Sequence, residues 1–247
     1  MGSRTKVEVC EIRDVTKDVR PPDLPPNVVH LWRLSLQTVA DNQESCYELL
    51  SLDERDKALR YRVERPRSEF VMTRSALRSL VAHYLGSSPQ MVRFRYTEHG
   101  KPILDGATGL QFNVSHTEGL ALLAFACGRD LGVDVEKLHS TTDVRKLAER
   151  FFSIQEREEL GKLEGEDLHA AFLRCWTRKE AYIKARGEGL SLPLDQFDVS
   201  IAPDEQNALL ATRPVAEEAK WWTVCNVHVG VGYAAALAYG EELSRKE

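Results

Sequence analysis

Apolar positions along the chain change period several times, and each change marks an element. Residues 28–36 are β-rich and alternate in part, which predicts a strand. Residues 52–62 predict a short helix, with Ser51 as its N-cap and Glu54 three residues later completing a capping box. Pro66 is a good helix start, and Phe70, Leu77, Leu80, Val81 and Tyr84 keep helical spacing up to Gly86. Strands are predicted at 92–96, 112–115 and 120–126, with one turn at His99-Gly100-Lys101-Pro102 and a polar one at 116–119. Beyond Arg129 the pattern starts again. It gives a strand at 131–136, a helix at 142–152 and a long helix at 167–186 closed by Gly187 and Gly189. Strands follow at 197–201, 221–229 and 233–239. Residues 1–27 are polar, end in a Pro-rich run at 21–26, and read as an extended lead-in.

Each half therefore reads as strands around one long helix. The close of the last strand, Ala-Leu-Ala-Tyr-Gly, resembles Ala-Phe-Ala-Cys-Gly at 124–128, which hints at two related lobes. A length of 247 residues accommodates two domains of about 120. With 43% apolar residues the chain is not disordered, and without a short period it is not a solenoid. The longest apolar run is eight residues, far below the ~20 a bilayer span needs. Arg4, Lys6 and Glu8 leave no secretory apolar region, and Lys6 stands where a myristoylation signal after Gly2 wants Ser or Thr. A cytoplasmic protein with no membrane anchor is expected. The five cysteines show no CxxC spacing and are expected to be reduced core thiols.

The net charge of −5 argues against a general nucleic-acid binder. Its distribution is uneven. Between Arg55 and Arg78 stand eight Lys and Arg residues (Arg55, Lys57, Arg60, Arg62, Arg65, Arg67, Arg74, Arg78) against three carboxylates. Such a stripe is either a solvated helix face or the contact for a localised anionic ligand or partner.

Four constellations could carry chemistry. In Gly132-Val133-Asp134-Val135-Glu136, strand alternation projects Asp134 and Glu136 together, about 7 Å apart, with the valines facing the core. Two such carboxylates are either solvated on a strand edge or hold a hard cation such as Mg²⁺. On the long helix Trp176, Glu180 and Lys184 share one stripe, which fits a packed ring beside an ion pair and also fits a third carboxylate with a lysine for a diphosphate. Phe112-Asn113-Val114-Ser115-His116 ends a strand with two hydrogen-bonding side chains at a turn, where ligands are met. A Ser-His catalytic dyad is not expected, since adjacent residues on an extended chain point apart. Gly100-Lys101-Pro102 is a rigid turn presenting a lysine.

Taken together, in this order and at about these separations, the four motifs resemble the Sfp-type 4′-phosphopantetheinyl transferases. The similarity runs from about Leu49 to Val199 and includes Gly189-Leu190-Ser191-Leu192-Pro193-Leu194. The Trp…Lys-Glu-Ala form matches the subgroup associated with carrier proteins of secondary metabolism, including polyketide and nonribosomal peptide biosynthesis. The resemblance implies an α+β fold. It would have two pseudo-symmetric lobes, 1–128 and 129–247, each a small antiparallel sheet on one long helix, with the active site in the cleft between them. It implies Mg²⁺-dependent transfer (Mn²⁺ as substitute) of the phosphopantetheine arm of coenzyme A to a serine of an apo acyl or peptidyl carrier protein, releasing adenosine 3′,5′-bisphosphate.

In that scheme Asp134, Glu136 and Glu180 hold the metal, and Glu180, directly or through a metal-bound water, deprotonates the carrier serine. Lys184 sits on the diphosphate, and Asp134 also borders the coenzyme. Ser115 and His116, with Lys57 and Arg60, hold the coenzyme phosphates, and Lys101 lines the nucleotide pocket. Arg60 stands where lysine is common, which keeps the charge and changes the donor geometry. Arg65, Arg67 and Arg74 remain for docking an acidic carrier. A monomer is expected by family analogy. A metal-dependent phosphodiesterase or nuclease would use similar groups, but usually places its Lys two residues after the Glu on a strand. A non-catalytic coenzyme A or carrier-binding protein would have no use for three convergent carboxylates.

Overall fold

The structure, a computed structural model, describes residues 5–15, 21–37, 43–106, 108–138, 143–203 and 205–241. In the first half, β1 (Lys6–Ile12) and β2 (Val28–Ser35) precede helices α1 (Gln43–Glu48), α2 (Leu52–Leu59) and α3 (Glu64–Tyr84). A short hairpin, β3 (Phe94–Tyr96) and β4 (Pro102–Leu104), leads to β5 (Leu110–Thr117) and β6 (Leu120–Cys127). The second half runs β7 (Leu131–Lys137), α4 (Val144–Phe151), α5 (Ile154–Leu160), α6 (Gly165–Arg186), β8 (Phe197–Val199), β9 (Leu209–Thr212), β10 (Trp222–Asn226) and β11 (Tyr233–Gly240). The main sheets are ordered β1-β2-β6-β5 and β10-β11-β7, and the fold is α+β in two lobes. All their pairings are antiparallel except β1 with β2.

Strand alternation divides the interior into three cores. Trp32 and Leu34 of β2, with Phe112, Leu123 and Phe125, pack against Leu77, Leu80 and Val81 of α3. The opposite face of the same sheet, including Val29, Leu31 and Leu122, meets Val133, Val135 and Leu237 of the second sheet. The far side of that second sheet, including Val224, Ala236 and Ala238, packs on Phe172, Ala181, Tyr182 and Ile183 of α6. The order is helix, sheet, sheet, helix, and the middle core joins the lobes. Val133 and Val135 are fully buried there, as the alternation predicts.

Each lobe also buries an ion pair of the same design. Glu54 accepts the Ser51 N–H at 2.9 Å, the capping box read from sequence, and binds Arg78 Nε at 2.6 Å. Arg78 Nη1 then donates to the carbonyls of Pro89 and Val92. In the second lobe Glu156 accepts the Ser153 N–H at 2.9 Å and pairs with Lys179 at 2.7 Å. Lys179 Nζ donates to the carbonyls of Leu194 and Phe197. All four side chains are at most 3% exposed, and removing one member of such a pair costs about 3–5 kcal/mol.

Several expectations change. The lead-in contains β1, a charged edge strand whose Lys6, Glu8 and Glu11 dilute the apolar signal. The turn at His99–Pro102 continues into β4, and α1, α5 and β9 are too short to stand out from periodicity. Arg74 is not a free docking cation: its guanidinium reaches Glu54 (3.4 Å) and lies over the rings of Phe94 and Phe70. Thr142, the expected first residue of a helix, lies outside the described residues, as does Gly2. The five cysteines are free thiols. Among the described residues no helix is long and apolar enough to cross a membrane.

Candidate active site

The site forms where β5, the edge of the first sheet, lies beside β7, the edge of the second, under the last turns of α6. Gly132 sets the distance. A Cβ at this position would collide with the backbone of Ala181, Lys184 and Ala185, so only glycine lets α6 press onto β7 here. Across the ladder Gly132, Asp134 and Glu136 pair with Ala238, Ala236 and Ala234, a small-residue surface on which the helix lies close. Asn113 joins the two edges, its Oδ1 accepting the Val133 N–H at 2.9 Å.

Asp134 is buried at the centre. Lys184 Nζ donates to Asp134 Oδ1 at 2.6 Å and to Ser115 Oγ at 3.1 Å, and Ser115 Oγ donates to the same Oδ1 at 2.9 Å. The second oxygen, Oδ2, is buried with no hydrogen-bond partner. An orphaned carboxylate oxygen in a buried site is costly unless something else binds it. Glu136 and Glu180 stand around it. Burial first, then the Asp134 charge, pushes Glu136 up to about 7, with Glu180 adding to the shift and Lys184 opposing it. Burial and Asp134 likewise raise Glu180 above the ordinary carboxylate range, against Lys184.

This donor set fits a hard divalent cation. Asp134 Oδ2 is unsaturated, and the repulsion among the three carboxylates is what a cation would relieve. The three carboxylates are not gathered on one point: among the described residues no group of three His, Cys, Asp or Glu side chains is placed to hold a metal ion. Mg²⁺ commonly takes only one or two carboxylates and completes its shell with water and substrate phosphate. Lys184, half-buried, meanwhile neutralises Asp134.

The remaining expected residues fall in two groups. Lys101 lines a cleft of about 220 Å³ together with Asn113, Glu180 and Lys184. Its ammonium is bound to the carbonyl of Lys184 at 2.6 Å and of Leu131 at 3.3 Å, and burial lowers its pKa. His116 points to the other face of β5. Crowding by protein lowers its pKa, as do the charges of Lys184 and Lys57, while Glu69 pulls it up. His116 is exposed near the end of β5. Lys57, on α2, and Arg60, at its C-cap, are exposed, with Lys57 Nζ over the Phe70 ring at 5.3 Å.

Trp176 belongs to the core, stacked with Phe172 and near Phe151 and Phe152, so its place in the motif is structural. Sequence reasoning assigned no role to Gly132 or Asn113. Both carry a signal, since glycine and asparagine are disfavoured inside strands.

A family model described as "4'-phosphopantetheinyl transferase superfamily" matches residues 130–238, and one described as "4'-phosphopantetheinyl transferase, N-terminal" matches residues 37–127. The chain is 40% identical over 200 residues to the 4′-phosphopantetheinyl transferase HetI of Nostoc sp., covering 79% of this chain and 84% of that protein. It is 29% identical over 166 residues to the 4′-phosphopantetheinyl transferase Sfp of Bacillus subtilis, covering 67% and 73%. With the 4′-phosphopantetheinyl transferase AcpT of Salmonella typhi it shares 38% over 110 residues, or 44% and 56% of the two chains.

Proposed function

The chain belongs to the 4′-phosphopantetheinyl transferase superfamily, and on that premise we propose how it moves the phosphopantetheine arm of coenzyme A onto a serine of an apo carrier protein. The observation that carries the reading is the Asp134 carboxylate, bound on one oxygen by Lys184 and Ser115 and orphaned on the other. Mg²⁺ held by Asp134, Glu136 and Glu180 would offset the negative charge of the diphosphate. Glu180, on the cleft wall beside Lys184, would take the proton from the carrier serine hydroxyl, directly or through a metal-bound water. That hydroxyl oxygen attacks the β-phosphorus, and the bond to the α-phosphate bridging oxygen breaks, releasing adenosine 3′,5′-bisphosphate. Lys184 donates to the diphosphate as charge develops, and its place beside Ser115 lets both act on one group of oxygens.

His116, Lys57 and Arg60, all exposed and all able to donate to phosphate oxygens, take the 3′-phosphate in this reading. Lys101 borders the nucleotide. The chemistry-bearing carboxylates belong to a lobe of residues 129–247 and the nucleotide side to residues 1–128. Carriers dock through local basic charge around Arg67, with Arg65 contributing less because it already pairs with Glu69 and Glu118. We place the enzyme in the cytoplasm, acting as a monomer on carriers of secondary metabolism.

The test is to incubate the protein with coenzyme A, Mg²⁺ and an apo carrier protein, with and without chelator. The expected result is a mass gain on the carrier that disappears with chelator. Nicking of DNA without carrier modification would instead identify a nuclease. For the phosphate assignment, Lys57→Ala or Arg60→Ala should weaken coenzyme A much more than 3′-dephospho-coenzyme A. Equal losses would return the stripe to a solvated face.

A further inference from the structure

Where α6 ends, the second lobe depends on a loop from the first. The last carbonyls of a helix have no partner within it, and a cation from elsewhere can satisfy them. Gly187, in the left-handed conformation, closes α6 through its N–H to the Ile183 carbonyl, and the Lys184 carbonyl is left to an outside donor. That donor is Lys101. Its Nζ lies 2.6 Å from the Lys184 carbonyl and 3.3 Å from that of Leu131, the first residue of β7.

The loop is fitted to reach there. The Lys101 Cδ lies 3.9 Å from where a Cβ of Gly187 would stand, and the His99 Cβ 3.0 Å from that of Gly189. Both glycines have positive φ, so both the turn and the close approach depend on them. The stem of Lys101 thus lies over the helix terminus while its ammonium ties two backbone segments together. Those segments are the ones that carry Lys184 and, three residues along β7, Asp134. Burial disfavours the charged ammonium, and Asp130 opposes that shift.

We propose that Lys101 is a positioning residue: it straps the end of α6 to the start of β7 and so holds Lys184 against Asp134, rather than binding the coenzyme through its charge. The proposal rests on the transferase reading, and it predicts a separation of kinetic constants. A ligand to coenzyme A would show its loss in KM. A strap would show it in kcat, because misplacing a charged group by about 1 Å can cost on the order of a hundredfold.

Reductive methylation of the native protein, read by peptide mass, provides the first test. Lys101 should resist methylation equally with and without coenzyme A, while Lys57 reacts in its absence. Ready methylation of free enzyme at Lys101, blocked by coenzyme A, would overturn the proposal. The second test uses Lys101→Met and Lys101→Arg. Met should lower kcat at least tenfold with KM for coenzyme A changed less than twofold, and Arg should restore part of kcat. A raised KM with normal kcat, or no change in either, would overturn it. Should Lys101→Met fail to fold, the Arg variant and the methylation pattern still decide. Failure of the wild-type protein to modify a carrier would overturn the transferase reading alone, because the methylation result does not depend on transfer.

Discussion

The two lobes use one device and put it to different ends. Each has a short capped helix whose third residue, Glu54 or Glu156, enters a buried ion pair with the long helix, at Arg78 or Lys179. Each cation goes on to hold two backbone carbonyls. The lobes part company further along, where the long helix crosses the sheet. In the first lobe His30 and Trp32 of β2 meet the Tyr84 hydroxyl, at 2.8 and 2.9 Å, a neutral cluster with its hydroxyl enclosed. In the second, Asp134 of β7 meets Lys184, with Glu136 two residues on and Glu180 one turn back along the helix. Each crossing leaves one buried polar atom without a hydrogen bond, His30 Nε2 in the first and Asp134 Oδ2 in the second. The first faces the single carboxylate of Glu8 at 3.6 Å, while the second gathers three carboxylates around a lysine. The lesson is that the fold supplies a place, and the side chains on one strand face decide whether chemistry occurs there.

The sharpest way to break the comparison is to remove the shared device. Glu54→Ala and Glu156→Ala should each cost about 3–5 kcal/mol in chemical denaturation, because each leaves a buried cation unpaired. A loss confined to one lobe's variant would show that the two pairs are not equivalent.

Changing the divergent crossing should separate activity from stability. Asp134→Ala should reduce transfer by about 10²–10³-fold or more, the scale of losing a charge-stabilising group at a reacting centre. The melting temperature should change little, since the variant removes an orphaned oxygen as well as an ion pair. A lowered melting temperature with near-normal turnover would make Asp134 structural. In the first lobe Tyr84→Phe should do the reverse: about 1–3 kcal/mol of stability lost through the unsatisfied Trp32 N–H, with turnover retained.

A smaller effect tests the neutrality of the first crossing. Burial lowers the pKa of His30 from 6.5, against the pull of Glu8. The unfolded chain therefore takes up the proton first as pH falls, so the stability linked to His30 is present above about 6.5 and is lost below it. Denaturation midpoints measured on either side of that value should fall towards acid, and His30→Gln should flatten the slope. An unchanged slope would assign the acid sensitivity elsewhere.

The smallest expected effect concerns the basic stripe of the first lobe, at the partly exposed Arg67. Arg67→Glu should raise KM for the carrier at low salt and flatten its salt dependence, leaving kcat nearly intact, because screening shortens from about 10 Å at 0.1 M to about 3 Å at 1 M. A carrier KM that ignores both changes would move docking to another surface.

The sequence by itself determined the elements with strong periodicity and the chemistry of the motif positions. Residues 167–186 could only be a long helix and 131–136 a half-charged strand, so Asp134 and Glu136 necessarily shared a face, as did Glu180 and Lys184. The Ser51–Glu54 capping box was equally legible, because its interactions span three residues. Non-local choices were decided by the tertiary structure alone. Arg74 and Arg78 look like neighbours of Arg67 in a basic stripe until the fold brings Glu54 to them. Lys179 and Glu180 are adjacent in one motif, yet one is sealed in a core pair and the other faces the cleft, because successive helical residues point about 100° apart. Lys101 carried almost no signal in its turn. Its partners are two backbone carbonyls distant in sequence, and no pattern of side chains records which carbonyl a helix end will leave open.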